Sequence, residues 1–401
     1  DGFRYHARDV AILRASRSGI PVLLGSATPS LESLHNVARG RYRALRLPER
    51  AGPAVPPRVE LVDLRGKPLQ AGLSESLLNA LDEVLGAGAQ ALVYLNRRGY
   101  APTLLCHACG WLASCRRCDA RMTLHLERQR LCCHHCGSER RPDTRCPECG
   151  GGELRPVGLG TERLEGLLAE RYREHGVLRI DRDTTRRRGS LVAKLNAVRD
   201  GRYRLLVGTQ MLAKGHDFPA VTLVGVVNAD AGLFSTDFRA AERVAQQVVQ
   251  VIGRAGRASD PGRVLVQTHH PDHPLLRSLL EHGYHAFATA ALAARAAAGL
   301  PPAGHLALLR AEAASLDAAL DFLALARARL PCGAGEGVEV WGPVAAPMPR
   351  RAGRYRAQLL LQAERREALQ HCLHGWLGQL EGLPAARRAR WSLDVDPIEL
   401  Y

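Results

Sequence analysis

Eleven cysteines stand in a chain of 401 residues. Nine fall between Cys106 and Cys149, eight of them as the Cys-x-x-Cys pairs Cys106/Cys109, Cys115/Cys118, Cys133/Cys136 and Cys146/Cys149. A Cys-x-x-Cys turn places two thiolates on one side of a knuckle, and two knuckles complete a tetrahedral sulfur site for zinc. Eight ligands therefore predict two zinc ions. Too little chain separates Cys109 from Cys115 for their knuckles to face each other across one metal. Between Cys118 and Cys133 there is room for a hairpin, with arms at 122–126 and 130–131 turning near Glu127, Arg128 and Gln129. On this spacing Cys115, Cys118, Cys133 and Cys136 form a zinc ribbon, and Cys106, Cys109, Cys146 and Cys149 close an outer site around it. Four sulfurs per metal leave no open position, so both zincs are structural. Evenly built pairs disfavour an iron–sulfur cluster. Cys132 is left over. His107, His134 and His135 adjoin the thiolates as neighbours or, alternatively, as substitute ligands. Cys332 and Cys372 read as buried apolar residues.

Three further segments carry chemistry. Gly25-Ser26-Ala27-Thr28-Pro29 follows an apolar run, where an open α/β sheet places a functional loop; a plain strand–helix connection is the alternative. Residues 208–218, Gly-Thr-Gln-Met-Leu-Ala-Lys-Gly-His-Asp-Phe, offer a hydroxyl, exposed amides and Lys214, one of only three lysines, to a phosphate. Gln250-Val251-Ile252-Gly253-Arg254-Ala255-Gly256-Arg257 sets two guanidiniums three residues apart, with glycines that permit close backbone approach to phosphate oxygens.

These segments sit in an alternating pattern. Continuous apolar runs at 20–28, 59–64, 91–95, 177–180, 203–207, 222–227 and 263–267 read as strands. Helical patterns occupy 31–37, 76–85, 161–174, 190–199 and 240–252. The alternation predicts a parallel sheet with helices on both faces, interrupted by the cysteine block. Four prolines between Pro48 and Pro57 predict a linker. An Ala-rich helix spans 274–298. After it, strand, helix, two strands, helix and strand at 306–312, 315–330, 338–342, 354–362, 365–380 and 391–395 predict a small α+β domain with an antiparallel sheet.

Composition narrows the setting. Lys plus Arg total 55 against 40 acidic residues, a net charge of +15 that points to a polyanion, nucleic acid before membrane. The arginine excess suits phosphate binding or reflects codon bias. With 46% apolar residues the chain is neither disordered nor collagen-like. Its longest apolar stretch, 286–294, is cut by Arg295, far short of a membrane span. Clustered cysteines favour a reducing cytosol. Asp1-Gly2-Phe3 shows no secretory signal and no initiating Met, the expectation for a trimmed chain or a piece of something larger.

Residues 25–29, 96–99 (Asn-Arg-Arg-Gly), 208–218 and 250–257 resemble motifs III, IV, V and VI of superfamily 2 helicases. The eight-cysteine insertion between the second and third of these narrows the resemblance to the primosomal replication-restart helicases. Runs at 3–9, 158–162, 179–185, 267–271 and 394–399 extend the likeness over the whole chain. The resemblance implies an α/β fold. Residues 1–48 would end a first RecA-like lobe and 49–57 link it to a second. Residues 58–105 with 156–285 would form that second lobe, 106–155 the two-zinc insertion, and 286–401 the C-terminal domain. It implies a 3′–5′ DNA helicase that binds ATP with Mg²⁺ between two lobes, loads at stalled or abandoned forks and starts primosome assembly in the bacterial cytosol, at the nucleoid.

The resemblance also distributes roles. Arg257 would be the arginine finger, with Arg254 beside it and Gln250 orienting the phosphate or the attacking water. Gly215 and Asp217 would contact the nucleotide, and Ser26 and Thr28 would couple hydrolysis to lobe movement. Thr209 and Arg97 would grip the tracking strand's backbone. Phe3 and Tyr5, with Arg4 and His6, resemble an aromatic-rich loop that senses single-stranded DNA, a buried Phe/Tyr pair being the alternative. Arg354 and Gln358 match a docking site for the C-terminal tail of single-stranded DNA-binding protein. The basic run around Arg350, Arg351, Arg354 and Arg356 suits that acidic tail or DNA equally. Other primosome proteins and the replicative helicase-loading machinery are implied as further partners. Asn228 stands where the family commonly has an acidic residue, whereas Asp230 is kept.

A phosphate-cradling Gly-x-x-x-x-Gly-Lys-[Ser/Thr] is missing, since the one Gly-Lys, Gly66-Lys67, precedes Pro68. Asp82-Glu83 reads as a solvated helix face rather than an Mg²⁺ box. In the family both elements precede the segment that begins here, so this chain is expected to be inactive alone. A non-catalytic zinc-ribbon DNA-binding scaffold is the rival reading.

Overall fold

The computed structural model describes residues 5–47, 55–95, 103–116, 121–125, 129–133, 138–151, 153–157, 161–180, 190–208, 218, 220–227, 229–233, 237–255, 261–331, 337–351 and 353–400. Six strands form one all-parallel sheet. From edge to edge they run Arg58–Asp63, Arg263–Thr268, Val221–Val227, Gln90–Leu95, Leu205–Gly208 and Val177–Ile180. Their apolar runs are continuous because both faces are covered. Leu92, Tyr94, Leu206, Val224, Val226, Val264 and Val266 face the helices Ala240–Ile252 and Pro274–Ala297. Ala91, Val93, Leu205, Val207, Leu223 and Leu265 face Glu75–Gly86 and Thr161–Arg171.

The cysteine block leaves this sheet after Gln90–Leu95. Its base is an antiparallel pair, Thr103–Cys106 with Leu154–Val157. Above it the expected hairpin forms from Thr123–His125 and Arg130–Cys132, and Glu139–Arg140 adds a third strand. The terminal domain is a four-stranded antiparallel sheet in the order Val338–Arg351, Arg354–Ala363, His305–Ala313, Arg390–Val395. With the helices Leu316–Ala328 and Arg366–Glu381 this is the split βαβ pattern. Its core is closed by fully buried Phe322 and Trp376, whose indole N–H donates to Ala326 O at 2.8 Å.

Two expectations need correction. Residues 20–26 form no regular element and pair with no strand among the described residues, and Leu23 is 82% exposed. Apolar pattern alone does not make a strand; a ladder partner must also be present. Cys372 is buried, as expected, but it is disulfide-bonded rather than a free apolar residue. Cys332 lies outside the described residues.

Arg295, which cuts the apolar run in the sequence, is 95% buried and explains how the parts hold together. Its guanidinium meets Glu242 Oε2 at 2.8 Å, with both side chains only 6% exposed. It also donates to Phe238 O and to Pro301 O, at 3.3 and 3.2 Å. Glu242 Oε1 in turn accepts the Leu31 amide at 3.0 Å, capping the helix Leu31–Ala38 from a distance. One ion pair therefore ties two sheet-covering helices, the N-terminal segment and the turn into the terminal domain. The long helix is itself bent at Gly283 (φ 82°, ψ −179°), one residue before Tyr284. Arg295→Met should lower unfolding free energy by about 3–5 kcal/mol in urea denaturation, because Glu242 stays buried without its partner. Joining it to Glu242→Met should restore much of the loss.

Candidate functional cleft and zinc centre

The helix Ala240–Ile252 carries Glu242, Gln246 and Gln250 one turn apart, hence on one face. That face reads residues 28–31 almost atom by atom. Gln250 Nε2 donates to Thr28 Oγ1 at 3.2 Å and Gln246 Nε2 to Thr28 O at 3.4 Å. Tyr284 Oη donates to Pro29 O at 2.7 Å, and Glu242 receives the Leu31 amide. Thr28 is buried, while exposed Ser26 accepts the Thr28 amide at 3.1 Å and rigidifies the turn. Ser30 caps the following helix by accepting from Ser33 N at 3.3 Å. The structure thus brings Thr28 and Gln250 together directly, with Ser26 two residues away. Arg254 follows in the turn beyond the helix and is half-buried. Arg257, Gly215, Asp217, Thr209, Arg97 and Phe3 lie outside the described residues, as does Asn228.

Electrostatics reinforce this contact. Burial alone would raise the Glu32 carboxyl, but the adjoining Arg239 guanidinium and Arg8, 3.7 Å away, outweigh it and lower it from 4.5 to about 2. A cleft of about 770 Å³ opens beside these groups, lined by Arg8, Glu32, Arg239, Arg365 and Asp396 among others. Glu242, Gln246, Tyr284 and Arg239 were not singled out by motif reading. The available signal was Arg295, a charge within a buried Ala-rich helix that demands a partner.

Elsewhere, Tyr5 is 65% exposed, which removes it from any buried aromatic pair. Arg354 is half-buried at the start of its strand. Gln358 is buried, and its Oε1 has no hydrogen-bond partner among the described residues.

In the cysteine block the sulfurs of Cys106, Cys109, Cys146 and Cys149 all lie within 4.8 Å of one another. Cys106 Sγ is 3.8 Å from Cys149 Sγ, and Cys109 Sγ is 3.6 Å from Cys146 Sγ. A zinc–sulfur bond of about 2.3 Å requires a tetrahedral edge of about 3.8 Å, so the donor set fits zinc. Each knuckle closes through a glycine at positive φ: Gly110 N donates to Cys106 O, and Gly150 N to Cys146 O, each at 2.9 Å. Cys115 and Cys133 are buried in the module's small core with Met122, Leu124 and Leu131. Cys118 and Cys136 lie outside the described residues.

A parallel sheet with helices on both faces, a cysteine-rich zinc module in its crossover and a C-terminal α/β domain resemble the C-terminal lobe of a helicase, extended by two modules. Sequence profiles agree. The helicase conserved C-terminal domain matches 159–259, the PriA DNA helicase Cys-rich region 115–141, and the primosomal protein N C-terminal domain 296–398. Along its whole length the chain matches the C-terminal portion of PriA. It is 47% identical over 400 residues to the replication restart protein PriA of Haemophilus influenzae, covering 100% of this chain and 54% of that protein. Identity to the Bacillus subtilis protein of the same name is 38% over 398 residues (98% and 49% covered). For that of Treponema pallidum it is 36% over 401 (99% and 60%). The chain thus spans 49–60% of the length of these curated relatives. No helix among the described residues is long and apolar enough to cross a membrane.

Elemental analysis should find two zincs per chain, and Cys109→Ser should reduce the count to one. Acid should weaken the cleft. Because the folded Glu32 carboxyl lies below its unfolded value, its contribution is complete above pH 4.5 and vanishes as pH falls toward about 2. Urea midpoints should drop across that window, less steeply in Glu32→Gln.

Proposed function

We propose that this chain is the carboxyl-terminal part of an ATP-driven 3′–5′ DNA helicase that recognises stalled or abandoned replication forks and starts primosome assembly. The observation that carries this reading is the Gln250–Thr28 hydrogen bond. It joins the segment resembling motif III to the helix of motif VI, beside the motor sheet, as a nucleotide-driven hinge between two lobes requires. The name and full-length match of the PriA relatives support it. Residues 1–48 then end the first lobe and 49–57 link it to the second. Residues 58–105 and 156–285 make the second lobe around the zinc insertion at 106–155, and 286–401 make the terminal domain.

In this mechanism ATP with Mg²⁺ sits between the lobes, and Arg257 and Arg254 neutralise charge on the transferring phosphoryl group. Gly215 and Asp217 line the nucleotide's other side. Gln250, held by Thr28, transmits the state of the cleft to the turn at Ser26. Thr209 and Arg97 hold the tracking strand by its phosphates, and Phe3 and Tyr5 meet single-stranded DNA. Tyr5 is 65% exposed, which leaves ring surface open to a base. Arg354 and Gln358 receive the acidic tail of single-stranded DNA-binding protein, with the Arg354 guanidinium as donor to its carboxylates. Other primosome proteins and the helicase-loading machinery follow at the same forks, in the cytosol.

The test is an ATPase titration of the full-length protein with forked and linear duplex DNA. Forked DNA should stimulate turnover, and Arg257→Ala should reduce kcat by about 10³-fold or more. Unchanged turnover would refute the assigned role. DNA affinity should fall steeply with salt, as phosphate contacts dictate. The chain by itself should hydrolyse no ATP.

A further inference from the structure

The outer zinc knuckle does not float beside the motor lobe; it is seated on one imidazole. His269 directly follows the strand Arg263–Thr268, at the carboxyl edge of the sheet. Asp230, 97% buried and just beyond Val221–Val227, holds it twice. Asp230 Oδ2 accepts from the His269 amide at 2.8 Å and lies 3.0 Å from His269 Nδ1, while Oδ1 takes the Thr268 hydroxyl. The far side of the ring points into the zinc module: His269 Nε2 and His107 Nδ1 are 3.0 Å apart. His107 adjoins the ligand Cys106, and its own Nε2 lies 2.9 Å from Lys67 O. The main chain closes the same seat. Gly66 N donates to His107 O, and a methyl group at Gly110 would stand 2.9 Å from His269 O. Residues 106–110 therefore wrap His269 at both its ring and its carbonyl.

We propose that His269, locked by Asp230, is a positioning residue that keys the outer zinc knuckle to the motor sheet, so that zinc module and lobe turn as one body. A neighbour that hydrogen-bonds beside a metal ligand fixes that ligand's orientation and slows loss of the metal. The inference rests on the zinc reading and is independent of the motor reading, because its test needs neither ATP nor DNA.

The two faces of the ring can be separated. Asn reproduces Nδ1 and keeps the bond to Asp230; Gln reproduces Nε2 and keeps the bond to His107. After two zincs per chain are confirmed in each protein, release to a chromophoric chelator and backbone hydrogen exchange are compared. His269→Asn should accelerate release of one zinc about tenfold or more. It should also raise exchange across 103–116 and 154–157, with the terminal domain unchanged. His269→Gln, which keeps the contact to His107 but gives up the one from Nδ1 to Asp230, should release zinc more slowly than His269→Asn though faster than the parent protein. His107→Ala, approached from the module side, should reproduce the Asn phenotype, and the double variant should be no worse than either single change. Equal behaviour of the Asn and Gln variants, unchanged release in His269→Asn, or additive effects in the double variant would overturn the proposal.

Discussion

The ion pair between Glu242 and Arg295 is the constraint on which the architecture rests. Two charges removed from water are tolerated only when every remaining polar position is satisfied. Here the Leu31 amide and Gln246 complete the carboxylate, and Phe238 O and Pro301 O complete the guanidinium. Those partners come from three parts of the chain: the N-terminal segment, the helix Ala240–Ile252 with the residues leading into it, and the turn at Pro301. The pair specifies one mutual arrangement of N-terminal segment, sheet-covering helices and terminal domain, where apolar contact alone would allow sliding. A second, more exposed contact crosses the same seam, and further ion pairs brace the terminal domain itself. Arg243 reaches Ile398 O and Glu399, and Arg310 and Arg366 meet Asp394 and Asp396 at 2.9 Å each.

The zinc module solves a different problem. Among the described residues its apolar cluster has seven buried members, two of them cysteines, and a core of that size holds a fold poorly by burial alone. Metal–thiolate bonds supply what burial does not. The antiparallel base at residues 103–106 and 154–157 then returns the chain to the sheet it left. An insertion of this kind leaves the parallel ladder intact because entry and exit share one strand pair.

Much of the architecture was legible because each element's signal is local. Continuous apolar runs in 91–95 and 222–227 mark strands buried on both faces, and the helix at 240–252 was read to its ends from periodicity. What escaped depends on partners remote in sequence. The run at 20–26 is strand-like in composition, yet whether it pairs is decided elsewhere. Val338–Arg351 continues well beyond the expected end at 342, because Pro343 sits on an edge strand where irregular register absorbs its missing amide. The short hairpin of Leu69–Gln70 and Leu73–Ser74 was too brief to show a period. In the cleft, Thr28 and Gln250 were each marked by motif, but their hydrogen bond spans 222 residues of chain. Glu242 carries no motif signal of its own. Only Arg295, interrupting an apolar stretch, hinted at a buried counterpart.

Gly283 carries a consequence for how such sequences can drift. Its φ of 82° is one that side-chain-bearing residues rarely adopt, although nothing lies within 4 Å of where a methyl group would go. The restriction is therefore torsional rather than steric. Crowding can be relieved by shrinking a neighbour, but a dihedral requirement has no such compensating change. Lineages that keep the bend must keep this glycine, and those that lose it must re-aim the phenol of Tyr284 by some other route.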